Sequence, residues 1–229
     1  MTIIRVLDFE STGLPPDAAV CEVGWQDVLA DPQDAGQTIL GNGSGSLANP
    51  GRPIPPEARA VHHIGDAEVA DAPSATAIFE VIMNGADIFA AHHAAFEQAF
   101  FGGGEVPWIC TLKAARRVWP EAPGHGNQVL RYWRTLPADP TLAMPAHRAF
   151  PDAYVTALLL RDLILSGATI ANMIQWTKEP SLLPRVTFGK YRGKEWSDLP
   201  VDYLTWIVGK SDMDEDTKFT ARHHLRKAQ

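Results

Sequence analysis

Residues 5–13 read Arg5-Val-Leu-Asp-Phe-Glu-Ser-Thr-Gly13, and this stretch decides the fold because the first apolar run of the chain ends in two carboxylates. Ile3, Ile4, Val6 and Leu7 are rich in β-branched side chains, which predicts a strand over residues 2–10. On a strand, residues i and i+2 share a face, so Asp8 and Glu10 point one way and Leu7 and Phe9 the other. Two anions held close in a poorly hydrated place force one to take up a proton unless a cation compensates both. Hard oxygen ligands favour Mg²⁺ or Mn²⁺ over zinc. Taken alone, D-x-E also describes a strand end with two solvated acids.

Two further segments change that balance. In Ala91-His-His-Ala-Ala-Phe-Glu97 a strand gives way to a helix, and Glu97 can enter the same site from the neighbouring element. In His147-Arg-Ala-Phe-Pro-Asp152 an imidazole and a carboxylate lie across a helix start. An imidazole near neutrality can take a proton from an attacking water, and the carboxylate five positions on can hold a metal. Four acids and one histidine of this kind form the inventory for two-metal phosphodiester hydrolysis.

Around these segments the pattern is that of an α/β protein. A second strand is expected over Val20 to Leu29 and a short third near Gln37 to Leu40, with Gly41 to Pro53 as a connection. Helical spacing over 75–83, a strand at 88–91, a helix at 94–101 and a strand at 108–110 follow. Helices are then expected over 112–118, 128–133 and 152–166, the last with Gly167 as its stop. Such alternation after an opening meander implies a mixed β-sheet flanked by α-helices. The prolines of "TKEPSLLPR" mark a boundary, dividing residues 1–177 from a small α+β unit at 178–229 with a hairpin at 188–194 and two helices.

The chain has 229 residues, 45% of them hydrophobic, and a net charge of −7. Residues 1–112 hold 15 acids against three bases, whereas the remainder holds 17 bases against 12 acids. An acidic half that holds cations and a basic half that holds phosphate would divide this way. Between Lys178 and Lys194 five bases meet one acid, with Tyr191 and Trp196 nearby, a mixture able to grip a nucleic-acid backbone and stack a base. Trp119, Trp133, Trp176 and Trp206 are expected in the core. Cys21 and Cys110 lie in apolar segments without a C-x-x-C partner, and neither His62-His63 nor His92-His93 has zinc-ligand spacing. With no leader-like or membrane-spanning stretch, a cytoplasmic location is expected.

The order D-x-E-x-T-G, H-x-x-x-F-[DE], H-x-x-x-x-D resembles the DEDDh group of 3′-to-5′ exonucleases. "PIPPEARAVHHI" (53–64), "WICTLKAARRVWP" (108–120) and "FGKYRGKEWSDLPVDYLTW" (188–206) resemble its exodeoxyribonuclease X-type members. The resemblance implies a ribonuclease-H-like fold and a DNA exonuclease releasing nucleoside 5′-monophosphates, with two Mg²⁺ or Mn²⁺ ions per site, DNA 3′ ends as partner and DNA repair as context. It implies Asp8, Glu10 and Asp152 as metal ligands, Glu97 as the fourth acid, and His147 as general base. Ser11, Thr12, Gly13 and Leu14 match the part that meets the terminal nucleotide, and His62 and Ile64 match a loop bordering it. Glu97 stands where aspartate is usual and His93 where asparagine is common, so the motif's supporting hydrogen bonds can differ. An exoribonuclease of the same superfamily and a binding module without catalysis are the alternatives, and the oligomeric state is not encoded in these motifs.

Overall fold

The computed structural model describes residues 1–31, 33–210 and 212–227. Its centre is a five-stranded sheet in the order β3-β2-β1-β4-β5. The strands are β1 (Thr2–Ser11), β2 (Val20–Ala30), β3 (Ile39–Leu47), β4 (Ile88–Ala91) and β5 (Trp108–Cys110). β1 pairs antiparallel with β2 on one side and parallel with β4 on the other, so the opening stretch is the middle of the sheet. The meander β1-β2-β3 and the parallel pair β4-β5 complete a mixed sheet.

Helices cover both faces. Between β3 and β4 run α1 (Pro56–His62), α2 (Asp66–Val69) and α3 (Ala75–Met83); α4 (Ala94–Phe101) joins β4 to β5. Then come α5 (Thr111–Val118), α6 (Asn127–Trp133), α7 (Ala149–Leu165) and α8 (Ile170–Lys178). Ile4 and Val6 point to the layer of α7, where Val155, Leu159 and Leu163 are fully or almost fully buried. Leu7 and Phe9 point to the opposite layer with Ile78, Ile82 and Phe101. Alternation thus carries Asp8 and Glu10 to the α7 side, at the strand end where the apolar packing stops.

β3 extends through Leu47, whereas the sequence "GNGSGS" reads as a connection. Its glycines are there for close approach, since a Cβ on Gly45 would lie 2.9 Å from Cβ of Phe150 at the start of α7. α7 likewise begins three residues earlier than its apolar periodicity indicates. No single helix among the described residues is long and apolar enough to cross a membrane.

Beyond α8, α9 (Val201–Lys210) and α10 (Glu215–Lys227) pack around Val186, Trp196, Leu199, Leu204, Ile207 and Ala221, an apolar cluster separate from those of the sheet. The hairpin expected at 188–194 is instead a 3₁₀ turn over Gly189–Tyr191, with a single bridge between Arg185 and Glu195. Phe188 and Tyr191, three apart, both turn toward this cluster, which a strand with period two cannot do. Two tryptophans exchange their expected places. Trp196 is 1% exposed and forms the core of the unit, and Trp206 is 43% exposed because Leu204 and Ile207 take the buried stripe of α9.

Candidate active site

Asp8, Glu10 and Asp152 each offer a carboxylate oxygen within 4.8 Å of the others. The first two come from β1 and the third from the first turn of α7, and the close fit between these elements has a specific cause. Gly24 is the cross-strand partner of Asp8, and a Cβ there would lie 2.1 Å from the carbonyl carbon of Ala149. The bare backbone of β2 is therefore the seat on which the first turn of α7 rests.

A half-buried ion pair fixes the same turn. Glu22 stands opposite Glu10 on β2 and accepts from Arg148 Nε (2.9 Å) and Nη2 (2.6 Å), and from the Ala149 amide (2.9 Å). One carboxylate thus caps the first exposed amide of α7 and holds the arginine beside His147. Asp152 accepts from Gln128 Nε2 at 2.9 Å and from the His147 amide at 2.8 Å. His147 has a left-handed backbone (φ 59°), which directs that amide at Asp152, while its side chain is exposed. Gln128 is held in turn by Arg131, whose Nη1 donates to its Oε1 (3.1 Å) and to the Ala143 carbonyl (3.2 Å).

Glu97 arrives from α4 in the other layer. It is 4% exposed, its Oε2 has no hydrogen-bond partner, and it stands beside the group of three rather than within it. Burial pushes the Asp8 carboxyl well above its ordinary range, and Asp152, Glu97, Glu10 and Glu22 add to this. Glu10 is pushed up to about 8 by burial, then by Asp152 and Glu22, against the opposing charge of Arg148. Glu97 is pushed up to about 8 by burial and, less, by Glu10. Burial also raises Asp152, opposed by the His147 amide and Gln128. Converging carboxylates, an orphaned buried oxygen and one arginine already engaged elsewhere fit an oxygen-ligated divalent cation.

Next to the acids, a cavity of about 430 Å³ is lined by Glu10, Ser11, Thr12, Gly13, Leu14 and His62, among others. Leu14 is 79% exposed at its rim. The Ser11 hydroxyl donates to the Gly13 carbonyl (2.7 Å) and Thr12 Oγ1 accepts from the Ala19 amide (2.9 Å), so these side chains build the turn. His62 is 2% exposed and its Nδ1 accepts from the Ile64 amide at 3.0 Å. Ile64 does not reach the cavity: it is fully buried with Cys21, Ile54 and Val69, and its part is to hold the His62 loop. His93 precedes α4, is exposed, and makes no side-chain capping bond. The neighbouring His92 carries the polar contacts, to Thr111 Oγ1 (3.0 Å) and the His125 carbonyl (2.8 Å). Glu22, Gly24, Gln128 and Arg148 support Asp152 and the start of α7 and are not among the site residues read from the sequence. Only Arg148, inside His147–Asp152, carried a signal, since Glu22 needs the β1–β2 register and Gln128 the tertiary fold.

With this geometry in place, the comparisons with known proteins are direct. The exonuclease family represented by RNase T matches residues 6–160. Exodeoxyribonuclease 10 of Escherichia coli K12 is 36% identical over 230 residues, covering 97% of this chain and 99% of that protein. A putative bifunctional exonuclease/endonuclease protein of Mycobacterium tuberculosis is 30% identical over 184 residues, 71% of this chain and 26% of its own length. Among solved structures, exonuclease X in complex with 5′ overhanging duplex DNA superposes with a TM-score of 0.67 at 34% identity, covering 76% of this chain and 99% of that chain. The nuclease domain of 3′hExo, described as a DEDDh family member bound to rAMP, shares the fold at 12% identity, with a TM-score of 0.58 over 72% of this chain and 92% of that one.

Proposed function

The chain belongs to this exonuclease family, and we propose that it removes nucleoside 5′-monophosphates from DNA 3′ ends with two divalent metal ions and His147 as general base. The observation that carries the proposal is the meeting of Asp8, Glu10 and Asp152 within 4.8 Å, with the unpartnered Oε2 of Glu97 alongside. The names of its relatives support DNA as substrate: an exodeoxyribonuclease at 36% identity and an exonuclease X solved with DNA at 34%.

Asp8, Glu10 and Asp152 would hold the ions, Mg²⁺ or Mn²⁺, and Glu97 would complete the set. When bound, such ions stabilise the charge on the entering and leaving oxygens. The Ser11–Leu14 turn and His62 receive the terminal nucleotide in the adjoining cavity, with Leu14 against the base. His147, exposed and fixed through its amide to Asp152, takes the proton of the attacking water. The separate apolar cluster around Trp196 supports a division near residue 177 between this chemistry and a C-terminal unit. Two buried free cysteines, Cys21 and Cys110, suit a reducing, cytoplasmic setting.

The deciding experiment is digestion of 3′- and 5′-labelled DNA and matched RNA with Mg²⁺ or Mn²⁺. Mononucleotides leave the 3′ end of DNA, faster than of RNA, and Asp8→Ala abolishes their release. Degradation from the 5′ end, or full activity of Asp8→Ala, overturns the proposal.

A further inference from the structure

We propose that the exposed face formed by the 188–194 turn and α9 is a second binding site, for single-stranded nucleic acid, built from an aromatic ladder and unpaired cations. Tyr191 packs edge-on against Tyr203 (ring centroids 4.7 Å apart, 64° between planes), and Tyr203 stacks on Trp206 (5.4 Å, 25°). The outer member, Trp206, is 43% exposed, so part of its indole is open to solvent. Lys190 lies 4.9 Å from the Tyr191 centroid and 5.7 Å from that of Tyr203, and Lys194 6.0 Å from Tyr191.

Unpaired cations cluster on one side of this ladder. Lys190, Arg192 and Lys194 are exposed, and none forms an ion pair among the described residues. Of the nearby acids, Glu195 pairs with Arg185 (3.7 Å), while Asp198 and Asp202, the latter accepting from the Tyr203 amide (2.8 Å), are exposed and carry no ion pair among the described residues. Unpaired exposed cations beside a partly exposed indole match a flexible polyanion carrying flat bases. Phosphates meet the ammonium and guanidinium groups, and a base stacks on Trp206. A duplex, its bases already stacked, offers only the phosphates, so a single strand is the better occupant.

A cavity of about 450 Å³ lined by His92, Arg116, His125, Gly126 and Arg185 joins the end of β4 to the start of the C-terminal unit. Gly126 immediately precedes α6, whose Gln128 holds Asp152. The proposed course of a strand with its 3′ end at the acids is along this groove toward the ladder. The inference rests on the exonuclease function proposed above for the identity of the strand, and not for the existence of the surface.

The test uses the full chain in EDTA, so that binding is read without turnover, with a 5′-fluorescein single-stranded DNA 20-mer followed by anisotropy over a salt series. Lys190→Gln/Lys194→Gln is expected to weaken binding about tenfold and to reduce the slope of log K against log salt by about 1.4, roughly 0.7 per lost cation. Trp206→Ala is expected to weaken binding about tenfold and leave that slope unchanged, as loss of one stacked base does. Wild-type affinity in both variants overturns the proposal, as does displacement of the 20-mer by polyglutamate at equal charge concentration. A wild-type chain that binds by this surface but releases no nucleotide with Mg²⁺ or Mn²⁺ defeats the proposed function and leaves the surface standing.

Discussion

Glu10 and Glu22 stand opposite each other on the β1–β2 ladder, and only Glu22 is hydrogen-bonded to a cation, Arg148. Two like charges directly across a ladder repel, so the sheet neutralises Glu22 with an arginine and leaves Glu10 to keep a proton until a cation takes its place. The site is thereby built to be unfavourable until metal binds.

A pH dependence follows from this. Glu10 and Glu97 are held near 8 against an ordinary 4.5, so between those values the folded chain keeps protons that the unfolded chain has released. Stability without metal therefore falls as pH rises through that window. Buried His92 acts in the opposite sense. Held down to about 4 against 6.5, it stays neutral while the unfolded chain takes up a proton, so stability falls as pH drops from 6.5 toward 4. Two carboxyls outweigh one imidazole, so melting in EDTA is expected to fall from about pH 6 to 9 and to level off toward about pH 4.5, where the two effects balance. Excess Mg²⁺ or Mn²⁺ should restore the alkaline side and leave the acid side unchanged, as thermal melts over pH 4.5–9 will read. A melting temperature in EDTA that climbs from pH 6 to 9 would contradict the site described here.

Glu22→Gln tests the other member of the pair. It keeps the shape but strands the Arg148 charge, and the arginine is 31% exposed, so the cost is expected at about 1–3 kcal/mol in urea melts. Because the same carboxylate caps α7 beside His147 and Asp152, kcat should drop more than KM rises. Melts and kinetics that both match wild type would remove Glu22 from the positioning of that turn.

Gly24→Ala asks how closely α7 must sit. The added carbon would collide with backbone atoms of Ala149 and Phe150 at 2.1–2.3 Å, and backbone cannot swing aside as a long side chain can. The expected loss is about 3 kcal/mol or more. A shift of about 1 Å at Asp152 should lower kcat by roughly 10²-fold even where the variant stays folded. Near-normal rates in a folded Gly24→Ala variant would show that the contact tolerates displacement.

These positions show what was legible in the sequence. Periodicity placed β4, α4 and β5 at their observed bounds, and the parity of Asp8 and Glu10 gave the face they share. Residues whose role depends on a distant element left no local trace. Gly43 and Gly45 look like a loop until Phe150 is laid on them. Trp196 and Trp206 exchanged burial because the stripe of α9 is set by Leu204 and Ile207, not by the bulk of any one side chain. Ile64 carries a motif position but is buried beneath it, since the loop needs an apolar anchor as well as an imidazole.

His147→Asn separates the ring from the backbone. Asparagine accepts the left-handed conformation at φ 59°, and the amide that binds Asp152 survives the substitution. Divalent-ion affinity measured by calorimetry should stay within about twofold, while kcat falls by roughly 10²–10⁴, the usual worth of a general base. An undiminished rate would assign the proton to another group.

Glu97 supplies the last prediction, because one methylene distinguishes it from the aspartate usual in this motif. Its Oε2 is buried and unpartnered, and it stands outside the group formed by Asp8, Glu10 and Asp152, so substitutions there are expected to separate the effect of charge from that of reach. Glu97→Gln removes the charge and keeps the volume. In EDTA at pH 9 this variant should melt above wild type, since no buried anion remains there, whereas kcat should fall by about 10²-fold or more. Glu97→Asp keeps the charge and withdraws it by about one C–C bond, and about a tenfold loss with a weaker Mg²⁺ midpoint is expected. Rates with saturating Mg²⁺ and Mn²⁺ decide the order. If Glu97→Asp is the worse of the two, reach rather than charge governs this position and the fourth acid is a direct ligand.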